Sequence, residues 1–147
     1  MGNISYRTSS HSKYLCLYHI ILVCKYRHKL LIKLGDIIKL LIEEIGQRYD
    51  FTIETMEVDE DHIHILVNCN SNLSPKDLVT TIKKITTYRV WRLDDSITKY
   101  LRKYIWYKKK FWSEGSFVCT IGNASEETIR KYIESQGRSP GANSSLV

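Results

Sequence analysis

The alternation of strand-like and helix-like apolar patterns constrains the fold of this chain more than any other feature. β-Branched and aromatic residues run from Tyr14 to Arg27 and predict a first strand. Apolar residues at helical spacing follow, from Gly35 to about Tyr49. The segments Phe51 to Val58 and His62 to Asn68, joined by an acidic turn, predict two further strands. Alternation in the second strand predicts one shared face for Phe51, Ile53, Thr55 and Glu57.

The second half of the chain continues this alternation. A helical pattern runs from Ser74-Pro75 to about Arg92, because serine caps free amides and proline is tolerated in the first helical turn. A mixed segment precedes a fourth strand, Gly115 to Ile121, which Gly122-Asn123 ends. A last helix extends from the capping residue Ser125 to about Gly137.

The resulting order is strand, helix, strand, strand, helix, strand, helix. It predicts an α+β fold, a ferredoxin-like or RRM-like βαββαβ sandwich with an added C-terminal helix. We expect a single domain over residues 1–137, with residues 1–12 frayed and residues 138–147 a flexible or artificial tail. This fold supports many functions, so function has to be argued from individual residues.

The charge and the aromatic residues favour an anionic partner. The net charge of +6 and the isoelectric point near 9.1 suit nucleic acid or an acidic membrane surface. The aromatic and basic segment from Tyr100 to Trp112 suits stacking on unpaired bases, although a solvated lysine run is the simpler alternative. The basic side chains predicted to face outward and to contact DNA are Lys83, Lys84, Arg89, Arg92, Lys108, Lys109 and Lys110.

The cysteines and the longest apolar run indicate an intracellular protein. Cys16, Cys24, Cys69 and Cys119 form no CxxC pair and lie in apolar stretches, which predicts reduced, buried thiols. The apolar run 20–24 is too short to cross a bilayer, and no secretory signal is visible. We therefore expect a cytoplasmic protein that does not associate with membranes.

Two histidines form the first candidate site. His62 and His64 are alternate residues of one strand, so both imidazoles point to the same face and could share a divalent ion. The alternative is a pair of half-exposed strand histidines with no ligand. Asp59 and Asp61 could orient an imidazole. His19 is a less favoured third ligand, because the odd positions of its strand look buried.

Tyr132 and Gln136 form the second candidate site. They are four residues apart on the last helix and therefore lie on one face. A tyrosine hydroxyl can attack a phosphodiester and hold the product covalently. An amide oxygen is a neutral hard ligand that could complete a His/His/Gln set around Mg²⁺ or Mn²⁺. Alternatively, Tyr132 merely borders the apolar face marked by Ile129 and Ile133.

In combination, these motifs resemble the IS200-like single-tyrosine transposases of the HUH endonuclease superfamily. The resemblance rests on the runs 62–67 (HIHILV) and 132–136 (YIESQ), on 18–27 (YHIILVCKYR), which is similar to the opening strand, and on 111–117 (FWSEGSF), which is similar to the approach to the fourth strand. It spans roughly Lys13 to Gln136.

The resemblance implies a mechanism and partners. His62, His64 and Gln136 would hold Mg²⁺ or Mn²⁺, and Tyr132 would form a 5′-phosphotyrosine and free a 3′-hydroxyl. A second 3′-hydroxyl would reverse the linkage without ATP. The family implies a homodimer that binds single-stranded DNA with hairpin ends, in which one chain's tyrosine helix completes the other chain's histidine site. Gly122 lies where such a helix would need a hinge.

Three alternatives remain open from the sequence alone. A non-catalytic RRM-type module that binds single-stranded nucleic acid would explain the fold and the charge, but not the histidine and tyrosine motifs. A replication-initiator nuclease of the same superfamily would share the chemistry. A folded but inactive relic would share every motif.

Overall fold

A computed structural model describes residues 7–8, 13–14, 17–69, 72–120 and 126–136, with side chains from residue 17 and, in the last segment, from residue 131. A short antiparallel ribbon pairs Arg7–Thr8 with Lys13–Tyr14. The strands that follow are β1 (Leu17–Val23), β2 (Phe51–Val58), β3 (His62–Cys69) and β4 (Phe117–Thr120). The helices are α1 (Leu31–Tyr49), α2 (Pro75–Val90), α3 (Asp95–Arg102) and α4 (Glu126–Ser135).

The four longer strands form one antiparallel sheet in the order β2-β3-β1-β4. The first and third strands in chain order, β1 and β3, lie at the centre of the sheet, which is the ferredoxin-like arrangement. The predicted α+β class and strand order are therefore confirmed. Across the β1–β3 pair, Ile21 lies opposite His64 and Val23 lies opposite His62.

One face of the sheet is covered by helices and forms the main core. Ile20, Leu22, Ile63 and Ile65 are completely buried there together with apolar residues of α1, α2 and α3. Gly35 lets α1 approach the sheet closely, since a Cβ at this position would lie 2.9 Å from Cγ1 of Val58. The opposite face carries both histidines of β3 and is partly covered by α4.

The first strand is shorter than the sequence predicts. The predicted Tyr14-to-Arg27 strand contains β1, but Lys25–Arg27 forms a 3₁₀ turn, and Tyr26 and Arg27 have φ near +55°. Left-handed backbone of this kind cannot continue a strand. The first helix begins at Leu31 rather than at Gly35, because buried Leu31 and Leu34 extend its apolar face by a further turn.

A β-bulge overturns the predicted face of β2. The pairing with β3 shifts between Ile53 and Thr55, so the side-chain alternation reverses at that point. Phe51 is buried, but Thr55 and Glu57 are exposed. As a result Glu57 lies opposite His64 and shares its face of the sheet.

The segment between the second helix and the fourth strand contains α3, which the sequence reading left as a mixed segment. Asp94 caps it by accepting a hydrogen bond from the Ile97 amide at 2.8 Å, and Ile97 and Leu101 are buried one turn apart. The predicted cap of α2 is confirmed, since Ser74 accepts from the Asp77 amide at 3.1 Å. Over the described residues, no helix is both long and apolar enough to cross a membrane.

Several expectations concern residues outside the described ranges. These are the frayed residues 1–6 and 9–12, Cys16, the strand end Ile121, the Gly122-Asn123 break, the Ser125 cap and the tail 138–147. Cys24, Cys69 and Cys119 form no disulfide among the described residues. Cys24 and Cys69 are buried, as predicted, whereas Cys119 is only half-buried.

Candidate active site

The two β3 histidines face the same side of the sheet, as their spacing predicts. The centroids of the His62 and His64 rings are 4.9 Å apart. Ile63 and Ile65 point to the opposite face and are completely buried in the main core. A rigid central strand therefore holds two imidazoles close together on the side that the main core does not occupy.

Asp61 orients the first imidazole. Nδ1 of His62 lies 2.7 Å from Oδ1 of Asp61, and Arg27 donates to the other carboxylate oxygen at 3.0 Å. Burial opposes ionisation of this carboxyl, but the hydrogen bonds from His62 and Arg27 outweigh it and lower the Asp61 pKa. An ionised Asp61 accepts from Nδ1, so Nε2 of His62 keeps its lone pair for a cation.

His64 has two neighbours that were not predicted from the sequence. Its Nδ1 lies 3.4 Å from Nε2 of His19, and Glu57 lies opposite it on β2. Burial lowers the pKa of His64, and the nearby His62 and His19 lower it further, against the opposing effect of Glu57 and Asp59. At neutral pH the imidazole is therefore uncharged, which is the form that binds a metal ion.

Helix α4 packs on the histidine face. Ile133 forms a small buried cluster with Ile21 and Val23, the residues that lie opposite His64 and His62 in the sheet. Phe117 and Tyr132 pack against this cluster, with ring centroids 5.6 Å apart. The packing brings the helix that carries Tyr132 and Gln136 to the side of the sheet where the histidines lie.

The Tyr132 hydroxyl is buried and has no hydrogen-bond partner among the described residues. Burial raises the pKa of Tyr132 to about 12, so the phenol is protonated at neutral pH. A buried polar group without a partner costs about 1–3 kcal/mol. Tyr132 therefore presents a hydroxyl that no described residue satisfies.

The loop before β4 lies against both Tyr132 and Gln136. A Cβ at Gly115 would lie 3.5 Å from the Tyr132 hydroxyl and 3.6 Å from Oε1 of Gln136. Ser113 donates to the same Gln136 oxygen at 3.1 Å, and the Ser113 amide donates to the carbonyl of Val23 at 2.7 Å. A hydroxyl and an amide oxygen therefore converge on one small space beside Gly115.

Lys83 holds this loop in place. Its ammonium donates to the carbonyls of Ser113, Glu114 and Gly115 at 2.8, 3.0 and 3.2 Å. The prediction that Lys83 faces outward is therefore wrong, because the side chain is half-buried and directed at backbone oxygens. Its contact with DNA stays a prediction, and Lys83 lines the groove described below. Its neighbour Lys84 is exposed, as predicted.

Replacing Lys83 by methionine is expected to lower the free energy of unfolding by about 1–3 kcal/mol, the contribution of hydrogen bonds to a charged group. Urea unfolding followed by circular dichroism measures the change. Lys84→Met removes the same charge one residue away and should change stability by less than about 0.5 kcal/mol. Equal effects of the two substitutions would mean that the three carbonyl contacts contribute nothing specific.

The other basic side chains that were predicted to contact DNA lie at three separate places on the surface. Lys84, Arg92, Lys109 and Lys110 line one groove of about 520 Å³ between α2 and the 109–114 segment. Arg89 lies apart from this groove and pairs with Glu44 of α1. Lys108 lines a neighbouring pocket. The groove is the part of the predicted basic surface that the tertiary structure assembles.

The donor set at this face fits a divalent cation. His62 has its Nδ1 held by a carboxylate, Asp59 lies 3.8 Å from Nε2 of the same ring, and an amide oxygen is presented on α4. Within the described residues, no cluster of three or more His, Cys, Asp or Glu side chains is arranged to hold a metal ion. A cation at this face would need a further donor of another kind, such as the Gln136 amide or a phosphate oxygen of DNA.

The sequence contained a signal for only some of the site residues that were not predicted. His19 was set aside because odd positions of the first strand looked buried, yet those positions lie on the histidine face. Helix α4, not the main core, buries Ile21 and Val23. Ser113 and Gly115 belong to the run 111–117, which was part of the family resemblance, but no role was assigned to either residue. The acidic residue Asp61 next to His62 was the available signal, and its predicted contact with an imidazole is confirmed.

The chain is similar to known transposases in sequence. A family model described as "Transposase IS200 like" matches residues 12–136. The ISDra2 transposase TnpA of Deinococcus radiodurans is 28% identical over 120 residues, which cover 81% of this chain and 82% of that protein. A transposase for insertion sequence element IS200 from Salmonella typhimurium is 24% identical over 135 residues, covering 88% and 82% of the two chains.

Solved structures show the same fold. A Deinococcus radiodurans crystal structure, of a protein provisionally assigned as a transposase, has a TM-score of 0.78 at 24% identity and covers 90% of this chain and 99% of that one. A REP-associated tyrosine transposase bound to a REP hairpin has a TM-score of 0.53 at 15% identity, with coverages of 88% and 70%. At these identities the likeness concerns the fold.

Proposed function

The chain belongs to the IS200-like transposase family, whose model covers residues 12–136, and we propose that it cleaves and rejoins single-stranded DNA at insertion-sequence ends. The observation that carries this proposal is the convergence of the Tyr132 hydroxyl and the Gln136 oxygen beside Gly115. Both residues are on a helix packed against the sheet face of His62 and His64. Family membership favours this reading over the RRM-type module.

In the proposed reaction, the Tyr132 oxygen attacks the scissile phosphorus and the bond to the 3′-oxygen breaks. The phenol proton passes to solvent admitted with the DNA, and the leaving 3′-oxygen gains a proton. The products are a 5′-phosphotyrosine and a free 3′-hydroxyl. Attack by another 3′-hydroxyl restores the phosphodiester and the phenol, so the bond energy is conserved and ATP is not needed.

Each residue of the site has a separate part in this proposal. His62, His64 and Gln136 would hold Mg²⁺ or Mn²⁺, with Asp61 fixing the ring of His62. The bound cation would withdraw charge from the scissile phosphate and stabilise the transition state. Ser113 holds the Gln136 oxygen in place. Burial raises the pKa of the Tyr132 phenol, so the hydroxyl is neutral until it loses its proton in the reaction.

A covalent protein–DNA adduct tests the function directly. Incubation of the protein with a 5′-labelled, hairpin-bearing single strand from an IS200-like element end, with Mg²⁺ or Mn²⁺, should give a free 3′-hydroxyl fragment. A 3′-labelled strand should give a band that denaturing gels retain as protein-linked. Fully paired duplex of the same sequence should give no adduct. Cleavage without a protein-linked product would refute the tyrosine mechanism, and no cleavage of any such end would favour the relic.

We also propose a homodimer that binds hairpin-ended single strands, with α4 of one chain serving the histidines of the other. Its support is the family membership together with the small contact of α4, which buries Ile133 against two residues of β1. So small a cluster makes α4 a helix that can dock either on its own chain or on a partner.

Mixing two inactive variants tests whether the sites are shared. In composite sites, a dimer of one His64→Ala chain and one Tyr132→Phe chain carries both lesions in one site and leaves the other intact. Co-refolded mixtures should therefore regain up to about a quarter of wild-type cleavage, since about half of the dimers are mixed and each has one of two sites. No recovery, with subunit exchange demonstrated by differently tagged chains, would mean that Tyr132 serves its own chain.

A further inference from the structure

A second cavity lies beside the candidate active site and takes no part in the chemistry described so far. It has a volume of about 600 Å³ and is formed by the 25–28 turn and the segment that follows α3. This volume is within the range of about 300–1,000 Å³ that is usual for small-ligand sites. Its walls carry Tyr26, His28, Tyr104 and Trp106.

The aromatic rings of this cavity are close together and unusually exposed. His28 lies 5.1 Å from Tyr104 between ring centroids, and Trp106 lies 5.2 Å from Tyr107. Trp106 is 79% exposed and Tyr107 is 67% exposed, whereas Trp91 and Trp112 are buried in the core. Several large aromatic rings that lie close together and are exposed to solvent provide flat surfaces on which another ring can stack.

The charge of the cavity complements a phosphate backbone. Lys25, Lys108 and Lys110 line it, against the single carboxylate of Glu114, which pairs with Lys25 at 3.3 Å. Lys110 also lines the basic groove of α2, so the two surfaces are continuous. Aromatic faces interleaved with lysines are the combination that binds unpaired nucleotides.

The backbone of the 25–28 turn is held in an unfavourable conformation. Tyr26 and Arg27 both have φ near +55°, which non-glycine residues adopt at a cost of about 1–3 kcal/mol each. Arg27 is fixed by its hydrogen bond to Asp61, and Asp61 contacts His62. The strained turn thus presents Tyr26 and His28 to the cavity and touches the histidine site through Asp61.

We propose that this cavity binds one unpaired base of single-stranded DNA by stacking, with the flanking phosphates on Lys108 and Lys110. The proposal rests on the proposed function, because it makes the cavity a subsite for the strand that the active site cleaves. Trp106 and Tyr107 supply the stacking surface, and the Glu114 side of the cavity adjoins Ser113, which contacts Gln136. A base held here places the neighbouring phosphodiesters along the catalytic face.

The test compares two oligomers that have the same backbone charge and differ only in whether they carry bases. The full chain, in EDTA so that no cleavage occurs, is titrated with a 12-nucleotide oligothymidylate and with a 12-unit abasic oligomer. The wild-type protein should bind oligothymidylate about tenfold more tightly, the effect of about one stacked base. Trp106→Ala/Tyr107→Ala should reduce this ratio at least threefold and leave affinity for the abasic oligomer unchanged. Both side chains are largely exposed, so the fold is retained.

Tyr49→Ala is the matched control, because Tyr49 is an exposed aromatic residue outside both cavities and should keep the wild-type ratio. A wild-type ratio near one, or a double-variant ratio within threefold of the wild-type ratio, overturns the proposal. The binding assay needs no metal and no covalent step. Failure of the cavity proposal is therefore distinguishable from failure of the proposed cleavage, which the protein–DNA adduct reports.

Discussion

Replacing Tyr132 by phenylalanine is expected to abolish DNA cleavage and to stabilise the protein at the same time. Removal of the nucleophilic oxygen should lower the cleavage rate by about 10⁴-fold or more. The same oxygen is buried without a partner, so its removal should raise the free energy of unfolding by about 1 kcal/mol. A tyrosine kept only for packing would show the gain in stability without the loss of activity.

The stability gain also has a defined pH dependence. Burial raises the pKa of Tyr132 to about 12, above its ordinary value of 10.0. Between these values the native state binds more protons than the unfolded chain, so wild-type stability falls as pH rises. The advantage of the phenylalanine variant should therefore widen from pH 10 towards pH 12, as urea unfolding at several pH values would show.

Tyr49→Phe is the control for both measurements, because it removes the hydroxyl of an exposed tyrosine on α1. It should keep full cleavage and wild-type stability. Cleavage that survives in Tyr132→Phe would move the nucleophile to Tyr104, to Tyr107 or to an activated water. Loss of cleavage in both variants would indicate a general sensitivity to substitution.

The double substitution His62→Ala/His64→Ala is expected to remove the metal site. Two imidazole nitrogens on one rigid strand supply most of the proposed donors, and the remaining amide oxygen is too weak a ligand to hold the ion alone. Cleavage should fall by about 10³-fold or more, since a metal contributes several kcal/mol to the transition state. Mn²⁺ titration by calorimetry should show one site per wild-type chain and none in the variant.

Binding of single-stranded DNA in EDTA separates loss of metal from loss of fold. The basic groove and the aromatic cavity contain neither His62 nor His64, so DNA affinity should remain within about twofold. Unchanged Mn²⁺ binding by the double variant would contradict the assignment of the metal ligands. Loss of DNA binding together with metal would instead mean that the substitutions unfold the protein.

Local sequence patterns predicted most of the fold correctly. The strands 51–58 and 62–69 and the capped start of α2 follow from side-chain period and helix-capping chemistry, which depend on neighbouring residues only. The bulge in β2 and the short first strand were not predictable in this way. Both depend on how distant segments pair, and on a strained turn that contacts Asp61.

By itself, the sequence determined which residues share a surface wherever the backbone period is unbroken, as it is not in β2. It placed His62 and His64 on one face of a strand, and Tyr132 and Gln136 on one face of a helix, because both relations depend only on backbone period. Only the tertiary structure decided what those surfaces meet. The strand register places His19 and Glu57 next to His64. The Lys83 ammonium donates to three carbonyls of the loop beside Tyr132 instead of pointing into the solvent. Such contacts join residues far apart in the chain, so no local period encodes them.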